Sequence, residues 1–157
     1  MSNMGTDMNG WIEIQDEKSQ TASIWKPAID IDDYPITLSQ WYDLYAFLFG
    51  VRNREGDRYY KPLFANRGYP EGMDKEMQFI SSDELEQCGV TYVTYTELRN
   101  AWNTWIKIGK YAIADTSVKT TEAFKTINVG IMYLLKLMEA MAIIYGEENV
   151  RMVVWFS

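Results

Sequence analysis

Four arginines lie close together in the stretch FGVRNREGDRYYKPLFANRGYP, residues 49–70, and with Lys61 they make up five of only fifteen basic residues. The planar guanidinium group matches a phosphate with two parallel hydrogen bonds, and tyrosine rings stack on bases or on the guanidinium itself. Backbone N–H groups in a glycine-containing turn add further donors for an anion. The stretch therefore predicts a site for a small nucleotide-like or ADP-ribose-like ligand.

The predicted ligand site consists of residues from this loop that carry a cation, an aromatic ring or turn geometry. They are Arg52, Asn53, Arg54, Tyr59, Tyr60, Arg67 and Gly68.

A purely structural interpretation of the same residues stays open. Arg52 just beyond a helix end would interact favourably with the helix dipole, worth about 0.3–1 kcal/mol. Asn53 accepts a left-handed backbone, Gly68 shapes a turn, and Tyr59 and Tyr60 could cover the core.

The chain contains no histidine and only one cysteine, Cys88. This excludes nucleophiles activated by histidine, histidine acid–base catalysis and the usual zinc sites. The sequence DIDD, residues 30–33, indicates a solvated turn, with a carboxylate site for a divalent cation that uses Asp30, Asp32 and Asp33 as the alternative. We therefore predict ligand binding without catalysis, with no catalytic residue, metal or cofactor.

Length and composition indicate one domain over residues 1–157, with residues 1–9 flexible, and the strands and helices predicted along it make the expected fold α+β. The net charge of −7 argues against nonspecific nucleic-acid binding, which needs many basic residues against phosphates. One cysteine and a polar N-terminus without a signal-peptide pattern favour the cytoplasm.

Alternating apolar residues predict a small antiparallel sheet. An N-terminal hairpin is expected from GWIEIQ, residues 10–15, and TASIWKPAIDI, residues 21–31, with Pro27 bending or ending its second strand. The terminal VRMVVWFS alternates in the same way and predicts a strand that pairs with this hairpin.

Three helices are expected to pack against the sheet. The first starts at Thr37, which has capping-box spacing to Gln40, and stops at Gly50. Its buried face is predicted to contain Trp41, Leu44, Tyr45 and Leu48. The connection that follows, residues 51–76, is long for a compact domain and is therefore predicted to be functional.

The second helix opens at Thr94, again with capping-box spacing to Glu97, and ends near Gly109. Its predicted apolar face consists of Leu98, Ala101, Trp102 and Trp105.

The third helix starts between Thr116 and Thr121 and ends at Gly146. Charges at Lys136 and Glu139 favour a buried or interface helix over a membrane span. Self-association through the segment 120–145 is an open alternative to burial within one chain. The residues expected to form that apolar surface are Ile131, Leu134, Leu135, Met138, Met141 and Ala142.

The order of motifs WYDLYAFLFGVRN, RGYPEGMDKE, TYVTYTEL and VRMVVWF resembles a group of small phage and prophage proteins of undetermined biochemistry. The family's Val-Arg-Asn corresponds to residues 51–53, and its Arg-Gly-x-Pro turn corresponds to residues 67–70. A histidine-bearing stretch that precedes Thr-x-x-Glu-Leu in the family is replaced here by CGVTY. The long third helix is an elaboration beyond the shorter members.

The resemblance implies a phage accessory protein in the cytoplasm of an infected bacterium. Together with the arginine-rich loop, it predicts a non-catalytic "sponge" that sequesters a nucleotide-type immune signal of the cyclic nucleotide or cyclic ADP-ribose class. The alternative is an inhibitor that binds a host defence protein through an acidic, aromatic-rich surface. A membrane partner is not expected.

Overall fold

The computed structural model describes residues 5–16, 24–31, 41–52, 60–65, 67–76, 89–106 and 121–156. The strands are β1 (Met8–Gln15), β2 (Trp25–Asp30), β3 (Val90–Thr94) and β4 (Val150–Phe156). The helices are α1 (Tyr42–Phe49), α2 (Tyr95–Ala101) and α3 (Thr121–Tyr145). A π-helical turn, Trp102–Ile106, extends α2, and a 3-10 turn, Glu147–Asn149, precedes β4.

The four strands form one antiparallel sheet in the order β2-β1-β4-β3, so the predicted α+β fold is confirmed. The terminal strand pairs with the hairpin as expected: Met8 lies opposite Phe156 and Ile14 opposite Val150. β1 starts at Met8, inside the segment that was predicted to be flexible.

Pro27 does not end β2, contrary to one of the two predicted outcomes. The strand continues to Asp30, and Pro27 lies opposite Glu13, beside a register shift between Ile12 and Glu13. This position is tolerated because β2 is an edge strand, where a missing N–H interrupts no second ladder.

One face of the sheet packs against the helices and forms the main core. Ile12, Val93, Met152 and Val154 are buried there against the inner sides of the helices, including Leu134. Alternation along each strand places every second side chain on this face, which we call the helix face.

α1 is shorter than predicted. It begins at Tyr42, with Trp41 as a non-helical N-cap that makes no side-chain capping bond. Residues 32–40, which include the expected Thr37 cap, lie outside the described residues. All of Leu44–Phe49 is buried, so α1 is enclosed on every side rather than amphipathic. Gly50 ends the helix in a left-handed conformation, as predicted.

The predicted capping box of α2 is confirmed. Thr94 Oγ1 accepts a hydrogen bond from the Glu97 N–H, and the Glu97 carboxylate accepts one from the Thr94 N–H. The strand β3, which leads directly into this cap, was not predicted.

α3 begins at Thr121, within the predicted range, and ends before Gly146. The part from Lys125 to Tyr145 is long and apolar enough to cross a membrane. In the fold, its inner side belongs to the core, and Gly130 brings it into close contact with Leu44 of α1. The inner side includes Ile127, Ile131, Leu134, Leu135 and Met138, all buried.

The opposite face of the sheet, which we call the outer face, is crossed by residues 67–76, which we call the strap. The strap is tied to the β3 edge by a hydrogen bond from the Gly68 N–H to the Val90 carbonyl, 2.8 Å. At the β2 edge, the Trp25 N–H donates to the Gly72 carbonyl at 3.3 Å. A second, smaller apolar cluster lies beneath the strap. It contains Trp11, Met73, Val90, Val153 and Trp155, with Tyr69 and Tyr92 packed against it.

Candidate functional site

The outer face contains a buried charge on each of the two central strands. Glu13 of β1 and Arg151 of β4 lie opposite each other, and Arg151 Nε donates to Glu13 Oε1 at 2.8 Å. Their side chains are 0% and 6% exposed. The other Glu13 oxygen, Oε2, accepts a hydrogen bond from Trp11 Nε1 at 3.0 Å. Both carboxylate oxygens are therefore satisfied.

The guanidinium of Arg151 is enclosed by the strap and by β2. Its Nη1 donates to the Glu71 carbonyl of the strap at 2.7 Å, and its Cζ lies 4.0 Å from the centre of the Trp25 ring. Burial lowers the pKa of Arg151, against the attraction of Glu13, which raises it. Arginine nevertheless remains protonated in proteins.

Nη2 of Arg151 has no hydrogen-bond acceptor within the described part of the chain, although it is buried. A buried charged donor without an acceptor is costly, because it has lost its water without gaining a replacement. Such orphaned groups in a folded protein call for a functional explanation.

Arg67 of the strap reaches the same face from the β3 side. Its Nη1 donates to Glu97 Oε1 at 3.0 Å and to the Tyr92 carbonyl at 3.1 Å. Its Cζ lies 4.2 Å from the Tyr92 ring centre, a cation–π distance. Burial would lower the pKa of Arg67, but the hydrogen bond and charge of Glu97 outweigh burial and raise it. The side chain remains 28% exposed, so one edge is available to solvent.

Cations and rings alternate across the outer face, in the order Arg67, Tyr92, Arg151 and Trp25. Arg67 covers the Tyr92 ring, and Arg151 covers the Trp25 ring. Tyr92 pairs with Val153, two residues from Arg151 on β4, so Tyr92 and Arg151 are diagonal neighbours on the outer face. We call these four side chains the arginine–aromatic row. Phosphates and planar bases are the groups that such a row suits, because guanidinium binds phosphate and rings stack on bases.

The predicted arginines Arg52 and Arg67 lie in different surroundings. Arg52 Nε donates to Thr6 Oγ1 at 2.8 Å, and its Cζ lies 4.7 Å from the Tyr42 ring. Thr6 lies beyond Met8, which pairs with Phe156, whereas Tyr92 pairs with Val153 across β4. Thr6 and Tyr92 are therefore about 10 Å apart across the sheet, which is two strand spacings, and roughly 16 Å apart along the strands, which is about five residues. Arg52 and Arg67 accordingly lie at separate positions.

Two more residues of the predicted ligand site, Tyr60 and Gly68, stabilise the fold. Tyr60 is buried, stacks edge-on against Phe47 and donates to Asp43 Oδ1 at 3.1 Å, so it closes the core beside α1. Gly68 has φ 77° and anchors the strap beside Arg67. Asn53, Arg54 and Tyr59 lie outside the described residues.

Sequence reasoning missed Arg151, Tyr92 and Trp25, which complete the arginine–aromatic row. The lone arginine in the apolar run VRMVVWF was the available signal, because an unpaired charge is rarely placed in a central strand. Its partner Glu13 sits at the matching position of GWIEIQ, 138 residues away.

The described residues contain no group of three or more Asp, Glu, Cys or His side chains that could hold a metal ion. Of the alternative cation site, Asp32 and Asp33 lie outside the described part of the chain, and Asp30 is at the end of β2.

Comparisons of the chain with protein-family models, with curated proteins and with solved structures found no match.

Proposed function

We propose that this chain is a non-catalytic phage accessory protein that binds and sequesters a nucleotide-type immune signal in the cytoplasm of the infected host. The ligand binds at the arginine–aromatic row rather than along the whole arginine-rich loop. The observation that carries the proposal is Nη2 of Arg151, a buried cationic donor without an acceptor in the described part of the chain.

The ligand class follows from the neighbours of that donor. A phosphate oxygen accepts from Nη2 of Arg151, and a second phosphate oxygen is within the reach of the exposed edge of Arg67. The rings of Tyr92 and Trp25, both half-buried, offer stacking surface for a base. A ligand that carries both phosphate and base uses all four side chains.

Binding without turnover is the second part of the proposal. Glu13 accepts hydrogen bonds on both carboxylate oxygens, from Arg151 and from Trp11. Glu97 accepts two on Oε1, from Arg67 and from Thr94, and these bonds lower its pKa, which makes it a weak general base. The residues of the row supply charge and stacking.

The ligand needs the strap to shift before it can contact Nη2, since that atom is excluded from solvent and Glu71 covers the neighbouring Nη1. Two backbone hydrogen bonds, at Gly68 and Gly72, tie the strap to opposite edges of the sheet. The association rate constant is therefore expected to be low, because the strap must open before the ligand can contact Nη2 of Arg151.

Isothermal titration with cyclic dinucleotides and cyclic ADP-ribose isomers tests the proposal. We expect binding to one of these ligands, at least tenfold weaker binding in Arg67→Ala, and similarly weak binding in Arg151→Lys, which keeps a positive charge but loses the forked donor. The matched control is Arg52→Ala, which removes an arginine that also stacks on a tyrosine but lies outside the row.

Three outcomes would contradict the proposal. No heat with any ligand of the panel would exclude sequestration of these signals. Loss of binding in Arg52→Ala but not in Arg67→Ala would place the site elsewhere. Recovery of one stoichiometric host protein by the immobilised chain, with no nucleotide bound, would replace the proposal by the alternative of a protein-binding inhibitor.

A further inference from the structure

Large apolar side chains are exposed mainly on one helix. Among the described residues, four of the five exposed large hydrophobic side chains lie on α3: Val129, Met132, Ile143 and Ile144, with the last two 80% and 66% exposed in that order. Single exposed apolar residues are ordinary, but several on one side of one helix mark an interaction surface.

Three of these four residues, together with Lys136 and Glu139 between them, follow the spacing of a coiled coil. Val129, Met132, Lys136, Glu139 and Ile143 are separated by 3, 4, 3 and 4 residues, which is the alternation of a and d positions. We call these five residues the α3 seam. The seam spans 15 residues, about 21 Å between its end residues, and lies opposite the buried side that contains Ile131, Leu134 and Met138.

The two charges of the seam restrict what can pack on it. Lys136 and Glu139 form an exposed ion pair of 3.1 Å at its centre, with side chains 65% and 44% exposed. In a parallel pair of such helices, residues at a positions pack against the partner's a positions, so Lys136 would face the partner's Lys136. In an antiparallel pair, residues at a positions pack against the partner's d positions, so Lys136 faces the partner's Glu139.

We propose that two copies of this chain associate through the α3 seam as an antiparallel, two-fold symmetric dimer. The two-fold axis passes between Lys136 and Glu139, and the four charges form one alternating network. The same symmetry packs Met132 against the partner's Ile143 and Val129 against the partner's Gly146. Each contact therefore occurs twice, as an isologous interface requires.

The charges and the sizes of the seam residues favour a second copy of the chain over a lipid surface as the partner. A membrane would leave Lys136 and Glu139 in the middle of the apolar stripe without water, whereas a second copy provides each with an opposite charge. The seam is also self-complementary in size, because the large Met132 and Ile143 face each other while Val129 faces a glycine.

The oligomeric state is the first test. Sedimentation equilibrium of the full chain is expected to show a reversible dimer, and Ile143→Asp is expected to weaken the dimer at least tenfold. The matched control is Ile24→Asp, which changes an exposed isoleucine outside α3. A strict monomer at all concentrations would overturn the proposal, as would equal weakening by Ile24→Asp.

The orientation is tested by disulfide trapping in a Cys88→Ser background. A mixture of one chain carrying Met132→Cys and one carrying Ile143→Cys is expected to form a cross-linked heterodimer. Met132→Cys alone is expected to remain uncross-linked under the same oxidation. Efficient self-cross-linking of Met132→Cys would show a parallel pair and overturn the antiparallel arrangement.

Charge exchange provides an independent readout that does not depend on a new cysteine. Lys136→Glu and Glu139→Lys are each expected to weaken self-association, because each places like charges across the interface. Mixing the two variants is expected to restore association in the heterodimer. If neither variant changes the association, the charge network does not exist. Cosedimentation of the wild type with anionic phospholipid vesicles instead of self-association would show that the seam binds membranes, and would also overturn the proposal.

Discussion

The buried ion pair between Glu13 and Arg151 should make the sheet sensitive to the loss of either partner alone. Arg151→Met keeps a long side chain but leaves the Glu13 carboxylate, which is 0% exposed, with the Trp11 N–H as its remaining donor among the described residues. Breaking such a buried pair from one side costs about 3–5 kcal/mol, because the remaining charge stays away from water without its partner.

Urea unfolding measures this cost. With an m-value of about 2 kcal/mol/M, the midpoint of Arg151→Met is expected to fall by about 1.5–2.5 M. Adding Glu13→Leu in the same chain removes the stranded carboxylate, so the double variant should regain most of the loss, since a well-packed apolar pair can replace a buried ion pair.

The control for this experiment is Arg99→Met. Arg99 pairs with Glu147 at 2.6 Å, shorter than the buried pair, but the two side chains are 34% and 54% exposed. We expect its midpoint to stay close to that of the wild type, because exposed pairs contribute little. If Arg151→Met costs less than about 1 kcal/mol, or if Glu13→Leu adds a further independent loss, then the pair is not isolated from water and this reasoning is refuted.

Three smaller predictions concern Glu97, Thr94 and Gly10. Burial would raise the pKa of Glu97, but hydrogen bonds from Arg67 and Thr94 hold it below the ordinary 4.5. The stability that Glu97 contributes is therefore complete above pH 4.5 and lost as the pH falls through the lowered value, so urea midpoints at low pH should fall less in Glu97→Gln than in the wild type. Thr94→Ala removes the α2 cap and should cost about 1 kcal/mol in the same assay, and rescue by Ser would identify the hydroxyl as the cause. Gly10→Ala should abolish cooperative thermal unfolding, because φ is 149° and the new Cβ would overlap the backbone of Val153; a transition like that of the wild type would contradict this.

Periodicity predicted most of the sheet and helices because the relevant signals are local. The β4 alternation and the Thr94 capping box depend only on neighbouring residues, and both are confirmed. β3 escaped notice because five residues, VTYVT, run directly into the cap of α2 without a turn signal. α1 begins at Tyr42, five residues after Thr37, the residue expected to cap it, which lies outside the described residues.

The candidate site was only partly predictable, because its residues meet through long-range pairing. Arg67 belongs to the predicted set, but Tyr92, which it contacts, and Arg151 come from strands whose register no local pattern specifies. Alternation in β4 places Arg151 on the face opposite that of Met152 and Val154. The strap buries that face, and nothing within the strap's own sequence indicates where it will lie.

The central position of β4 governs when the protein can fold. β4 follows every other described element in the chain, yet it lies between β1 and β3 and joins them. Met8 and Phe156 pair across almost the whole sequence, so the sheet closes a very large loop before it gains these hydrogen bonds. During synthesis, the hairpin of β1 and β2 must therefore wait, with the backbone N–H and C=O groups along one edge of β1 unpaired, until β4 has left the ribosome.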